Sequence, residues 1–543
     1  MRTGPLLVLL LALGALALPS GAGAHAVLLA TEPAADTVVD APPSIIELTF
    51  NEPVNQVGAT AILYGPDGRQ YQLGEPMVDG STLFVPPAGD LPEGTSTVVW
   101  GAISADGHRV AGAFSFSVGA PSAEPGAAAA YATGPPATAT AAASVVRAAR
   151  YAGIIGAIGF VAVLWLVWIP TARRGREADP DAAEAADDAF RRASGRVGAG
   201  AFALAAAASA AAVPVLAWTG GIDVAEVLQL RQGMVAALGA VVALLGLPLA
   251  LLAAREPRPS AALAGGGLIA LVLAAGQAVS GHASAQPANA IPLMAADLAH
   301  LLAAGLWGGG LLVLALGAPA TLAAAGADAR GPLLRGVTRR FTRLALAGLA
   351  VLLVTGAITA LVLAGSPRAL AETPWGWLLL AKVALVALAV AIAAVIRRGG
   401  ARFERGIAAE ALVIIAVIAV TGALTGIAPR PEPAPALPYA EQARVGETVV
   451  LIDIVPARAG IGNEVHVIAT DAQGMPSDEV EEAAVTLASD EVERLPVELQ
   501  RIDDGHWTGS VVLPTPGTWT VTTRLRIGDF RDEAIVGTMP VAP

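Results

Sequence analysis

The sequence predicts a multi-domain chain: an N-terminal all-β domain, a polytopic α-helical membrane domain of about eight helices, and a C-terminal all-β sandwich. Three observations carry this. Charged residues make up only 14% of the 543, whereas 55% are hydrophobic, and the mean hydropathy is +0.63. A soluble domain is about a quarter charged, so most of this chain lies in a membrane. The middle of the chain holds about eight apolar stretches long enough to cross a bilayer. On either side of them, short alternating apolar runs are bounded by Pro and Gly turns, the pattern of antiparallel strands.

Residues 1–24 read as a secretory signal: Arg2, an apolar run from Leu6 to Leu18, and the cleavage triplet Ala22-Gly23-Ala24. Residues 25–119 form the first β domain, with runs such as Ile45–Phe50, Thr97–Trp100 and Ala113–Val118. They suit an antiparallel sandwich or barrel. Residues 120–147 are expected to be a flexible linker, because 120–143 are rich in Ala, Pro, Gly and Ser. The membrane domain follows over 148–430, with spans expected near 148–170, 197–218, 232–253, 260–280, 293–317, 341–364, 375–396 and 407–427. Residues 431–543 open on a Pro-rich linker and then alternate like strands, as in Thr448–Ile452, Glu464–Ile468 and Trp519–Thr522, which predicts an extracytoplasmic β sandwich.

Arginines set the topology. The loop 171–196 carries Arg173, Arg174, Arg176, Arg191, Arg192 and Arg196, and the next loop only Arg231. Arg255 and Arg258 precede a loop, 281–292, with no basic residue. Arg330, Arg335, Arg339 and Arg340 then precede a loop with Arg368 alone, and Arg397, Arg398, Arg402 and Arg405 follow. The arginine-rich loops are cytoplasmic by the positive-inside rule. An even number of spans puts both termini outside, in agreement with the signal. The expected location is a bacterial plasma membrane, with the lipid bilayer as a partner. The chain has no cysteine, which excludes disulfides and thiolate chemistry. No P-loop motif is present, so ATP is not an expected partner. The net charge of −12 gives no sign of nucleic acid.

Cleavage after Ala24 would make His25 the first residue, with an α-amine and an imidazole close enough to chelate one metal ion. Such nitrogens suit Cu(II). The alternative is a frayed terminus with no ligand. Asp106 and His108, in Ser104-Ala105-Asp106-Gly107-His108, lie two residues apart and would share one face of a strand. Together with His25 they would make a nitrogen and oxygen site; alone they read as a turn with a surface histidine.

His25 after the signal, Thr31-Glu32-Pro33, Ile46–Glu52, and Trp100 followed by Ser104–His108 and Gly112 resemble the CopC family of periplasmic copper-binding proteins. The resemblance covers 25–119 and implies a small Greek-key β barrel with a Cu(II) site at His25, Asp106 and His108, joined by Glu52 in some members. A Met-rich Cu(I) segment is not expected, since Met77 is the sole methionine of this domain after His25.

Ionisable groups inside a membrane are functional candidates. Lys382, the only lysine of the chain, lies inside the seventh span, and Glu410 about a turn inside the eighth. Both also read as a structural ion pair. Asp297 and His300 share a face of the fifth span, with His282 in the loop before it and Met294 just ahead. Trp307 and Gly308–Gly310 continue that span, and the glycines would admit a neighbouring helix. Gly281-His282-Ala283, Asp297 with His300, Trp307 with Gly309, Thr355-Gly356, Lys382 and Glu410 resemble the CopD family of copper-resistance membrane proteins, over roughly 148–430. That resemblance implies copper at His282, Asp297 and His300 near the outer mouth. His466 and His506 read as ordinary strand or turn residues.

The expected function is copper binding and transport: an outer domain captures Cu(II) and passes it to a membrane portal for uptake. The alternative is copper sequestration or sensing on a membrane anchor. A third reading, a copper oxidoreductase, finds no substrate surface or second redox centre in the sequence, and no enzymatic activity is expected. Periplasmic copper chaperones or cuproenzyme assembly factors are the implied protein partners.

Overall fold

The computed structural model describes residues 26–541 apart from 27, 36, 106, 121–134, 179, 257, 259, 282–289, 365–366, 398–402, 428–438, 447, 456, 460–461, 472–475, 478 and 529–530. The N-terminal domain contains β1 (Leu28–Glu32), β2 (Val38–Val39), β3 (Ile46–Phe50), β4 (Val54–Tyr64), β5 (Gln70–Tyr71), β6 (Met77–Asp79), β7 (Thr82–Val85), β8 (Gly94–Ser104) and β9 (Arg109–Val118). They form a four-stranded sheet in the order β1-β3-β7-β6 and a five-stranded sheet in the order β2-β9-β8-β4-β5. The expected antiparallel pattern holds throughout these sheets except for the short β2–β9 pair, which is parallel.

Alternation places this core. In β3, Ile46, Leu48 and Phe50 are buried and the residues between them are less so. Phe50 meets Trp100 of β8 edge-on, with ring centroids 5.2 Å apart. Gly112 is the cross-strand partner of Trp100, and the indole lies where a side chain at 112 would stand. A glycine is therefore needed opposite this tryptophan.

Among the described residues, eight helices are long and apolar enough to cross a membrane: Ala137–Gly175, Ala183–Gly220, Arg231–Ala253, Ala261–Val279, Ala290–Ala324, Asp328–Ala364, Pro374–Ile396 and Gly406–Leu424. They are called spans 1 to 8. Span 1 starts at Ala137, so residues 137–147 are helical where a linker was expected; Pro136 precedes the first turn, where its missing N–H costs nothing. Spans 2 and 6 have 38 and 37 residues, well beyond the ~20 that a bilayer requires. Parts of the arginine-rich stretches expected to be loops are therefore helix. Arg191 is buried there: its Nε donates to Asp187 Oδ1 at 2.8 Å, the Trp168 indole N–H donates to the same oxygen at 2.7 Å, and its guanidinium also reaches the Glu256 carbonyl.

Span 1 is the central helix, with 78% of its apolar window buried, and it packs against spans 2, 4, 5 and 8. Its tightest crossing is with span 5, where Gly159 and Gly309 bring the two backbones into direct contact. Only hydrogen side chains permit that approach. Both spans carry a π-helical turn, at Val163–Trp168 and Gly305–Gly309. The described part of the C-terminal domain has nine strands in sheets of five and four. They enclose a core that includes Val450, Ile452, Val467, Trp507 and Trp519, as expected of a β sandwich.

Candidate functional site

The β8–β9 hairpin tip carries His108. The Gly107 N–H donates to the Ser104 carbonyl, and the Ser104 N–H to the His108 carbonyl, both at 2.9 Å. Gly107 has φ of +88°, a conformation that closes three-residue hairpin loops and favours glycine. The buried Glu52 lies beside this tip, because the carbonyl of the next residue, Pro53, accepts the Ala105 N–H at 2.9 Å. His25 and Asp106 lie outside the described residues. The neighbour of His25, Ala26, is buried in the domain core, and Leu28 pairs with Phe50. Among the described residues, no group of three or more His, Asp or Glu side chains is gathered as a metal cage.

The same hairpin docks on the membrane domain, between spans 2 and 3. The Ala105 carbonyl accepts from Arg231 Nη2 at 2.9 Å and from Gln232 Nε2 at 2.7 Å. Arg109 Nη1 donates to the Gly220 carbonyl at 2.7 Å. Ile103 packs over Gly58 and Gly220, beside Ile222. Asn55 Nδ2 steadies the strand end through the Ile103 and Ser104 carbonyls. The β domain thus sits on the arginine-poor face of the helical bundle.

Beneath the hairpin, a cavity of about 630 Å³ runs into the bundle, and His108, Asp297, His300, Trp307 and Lys382 all line it. Most of the remaining lining is apolar. His300 is held in one tautomer. Its Nδ1 lies 2.9 Å from Thr355 Oγ1, and that hydroxyl gives its single proton to the Val351 carbonyl at 2.7 Å. The Thr355 oxygen must then accept from His300 Nδ1–H, which leaves Nε2 as the lone-pair nitrogen. Gly356 makes room for the ring: a side chain at 356 would come within 3.3 Å of His300 Cε1. Thr355-Gly356 is thus a seat for His300, a role that the sequence motif did not reveal.

Lys382 lies within electrostatic range of Asp297 and His300. The Asp297 carboxylate is beside Gly281, the residue before His282, which itself lies outside the described residues. Met294 does not line the cavity. Six residues before His300, it lies about 120° round the helix from that ring. Glu410 is buried but also does not line the cavity; it lies one turn before Ile414, which does.

Sequence reasoning missed three polar residues of span 1 that line the cavity, Arg147, Arg150 and Tyr151. Arg147 Nε donates to the Gly422 carbonyl of span 8 at 3.1 Å, and Gln277 of span 4 donates to the Tyr151 hydroxyl at 3.3 Å. The available signal was a pair of arginines three residues apart, ahead of the first apolar run.

Residues 28–119 match the CopC domain family, and residues 335–424 match the family of copper resistance protein D. The latter segment contains Thr355, Gly356, Lys382 and Glu410, whereas Asp297 and His300 precede it. Protein YobA of Escherichia coli (strain K12) is 38% identical over 98 residues, 18% of this chain and 79% of that protein. Copper transport protein CutJ of Bacillus subtilis (strain 168) is 29% identical over 105 residues, 19% of either chain. Among solved structures, CopC from Methylosinus trichosporium OB3b shares 25% identity, with 17% of this chain and 93% of that one covered and a TM-score of 0.17. PcoC, a methionine-rich copper resistance protein from Escherichia coli, shares 31%, with 18% and 99% covered and a TM-score of 0.16. The chain joins a CopC domain and a CopD domain in one polypeptide, and so belongs to the CopC–CopD fusions among the copper-resistance and copper-transport proteins.

Proposed function

We propose that the outer domain captures Cu(II) and hands it to the membrane domain for uptake, without release to solvent. The observation that carries this reading is the shared cavity: His108 of the β domain and His300 of span 5 line one continuous space, under a hairpin docked by three hydrogen bonds. Capture falls to the α-amine and imidazole of His25, with His108 and Asp106 and with Glu52 beside them. This nitrogen and oxygen set suits tetragonal Cu(II).

Transfer runs down the cavity to His282, Asp297 and His300. The lone pair on His300 Nε2 is presented by Thr355, and a hydrogen bond to the far nitrogen of a ligand imidazole sets its orientation and basicity. Lys382 supplies a tethered cation beside Asp297, so the carboxylate has a partner before copper arrives. The apolar lining keeps the local dielectric low and favours passage between fixed ligands over free diffusion of a hydrated ion. In this reading the protein lies in a bacterial plasma membrane with both termini outside, and periplasmic copper chaperones or cuproenzyme assembly factors meet its outer face.

The test is copper accumulation in cells expressing the full chain, wild type against His300→Ala and His25→Ala. Raised cytoplasmic copper that is lost with His300→Ala and reduced with His25→Ala supports capture followed by uptake. Unchanged cytoplasmic copper, with metal retained outside, overturns uptake in favour of sequestration or sensing.

A further inference from the structure

We propose a further copper site, on the C-terminal β domain, formed by His466 and His506. Neither residue belongs to a segment matched by the CopC or CopD family. The strands Gly462–Thr470 and His506–Val512 are antiparallel neighbours; His466 stands opposite Thr508, and His506 opposite Ile468. The two histidines are therefore diagonal neighbours across adjacent strands. In the first strand Val465, Val467 and Ala469 point into the core, so His466 shares the outward face with Glu464 and Ile468.

On that face His466 Nδ1 lies 3.1 Å from His506 Nε2. Two imidazole nitrogens this close either share one proton or jointly hold one metal ion. With metal–nitrogen bonds of about 2.0–2.1 Å, the separation subtends roughly 100° at the metal, between square-planar and tetrahedral angles. Glu464 Oε2 stands 3.7 Å from the other nitrogen of His466, Nε2. A carboxylate there favours the proton on Nε2 and leaves Nδ1 to bind metal, the arrangement that commonly orients metal-bound imidazoles. Asp453, directly opposite His466 on the preceding strand, adds negative charge. The His466 side chain is 20% exposed, so an ion from solvent can reach the pair and complete its coordination with water. Among divalent ions such a bis-imidazole site binds Cu(II) most tightly.

The chain has six histidines, which makes the test specific. In a full-length variant with His25, His108, His282 and His300 each changed to Ala, any imidazole coupling in pulsed EPR of added Cu(II) arises from His466 and His506. Coupling to two imidazoles, with one tightly bound equivalent, is expected. Conversely, His466→Gln with His506→Gln in the otherwise unaltered protein is expected to lose one equivalent. Glu464→Gln is expected to weaken that equivalent by about 10–100-fold without removing it. Absence of imidazole coupling in the four-alanine protein overturns the site, as does an unchanged copper count in a folded double-Gln protein.

Discussion

Thr355 and His300 form a one-way hydrogen-bond chain: the threonine passes its proton back along its own helix and receives the Nδ1 proton of the histidine from the neighbouring span. The direction of this chain decides which nitrogen of His300 faces the cavity. Thr355→Val keeps the shape and deletes both bonds. Copper affinity of the membrane domain is expected to fall by about 10–100-fold, whereas Thr355→Ser retains most of it. Copper uptake by cells expressing each full-length variant at graded copper concentrations checks this; equal uptake by the Val variant would count against an orienting role.

The chelate proposed at His25 gives a second prediction. One extra residue ahead of His25 displaces the α-amine from the chelate, so its effect is expected to approach that of His108→Ala. Both changes should remove the tightest Cu(II) equivalent from the full-length protein. Competition against a chelator of known affinity measures it, and an extended terminus that binds as tightly as the native one would rule out the amine as a ligand.

The docking seam is open to a chemical probe because the chain has no native cysteine. Gly107→Cys with Gln232→Cys should form a disulfide across the seam, since the Gln232 side chain packs against Gly107. Loosening the seam with Arg109→Ala and Arg231→Ala removes two bonds worth about 1 kcal/mol each. The rate of cross-linking in the Cys pair should then fall by up to about thirtyfold. An unchanged rate would mean that these arginines do not hold the domain down.

Asp187 serves two buried donors, Trp168 and Arg191. Asp187→Ala leaves the Arg191 charge buried without its carboxylate, a loss of about 3–5 kcal/mol in comparable cases. Thermal unfolding of the detergent-solubilised protein should show a clearly lowered midpoint. Asp187→Ala with Arg191→Met should recover much of it, because the unpaired charge is gone as well.

The C-terminal domain carries an alkaline limit. Burial, and after it the nearby Glu441 carboxylate, push the Tyr439 phenol up to about 12 from an ordinary value of 10.0. The unfolded chain gives up this proton first, so the contribution is fully present below pH 10 and is lost as pH rises towards 12. Tyr439→Phe should flatten that part of the pH–stability profile, as followed by tryptophan fluorescence.

The helical bundle was legible because apolar length and arginine alternation are properties of single segments. Helix ends were less so. Residues 137–147 are Ala-rich and read equally as linker or helix, and packing of Ser144 and Ala148 against Gly422 of span 8 decides for helix. That extension carries Arg147 into the cavity wall, beside Arg150 and Tyr151 of the expected span. Arg191 counted as a loop charge in the topology, yet lies buried against Asp187 one helical turn earlier. The Thr355–His300 bond joins residues 55 apart, and the Ala105–Gln232 bond residues 127 apart. Neither follows from periodicity.

Both acceptors in the docking seam, the Ala105 and Gly220 carbonyls, are main-chain atoms, which every amino acid supplies. Among the described residues the hydrogen bonds of the seam come from three donor side chains, one on the β domain and two on the membrane domain, and Ile103 adds apolar packing over Gly220. A substitution at Ala105 leaves its carbonyl in place, whereas a side chain at Gly220 would crowd Ile103 and Ile222. Attachment through these bonds is thus open to loss at Arg109, Arg231 and Gln232, and insensitive to which side chain stands at position 105.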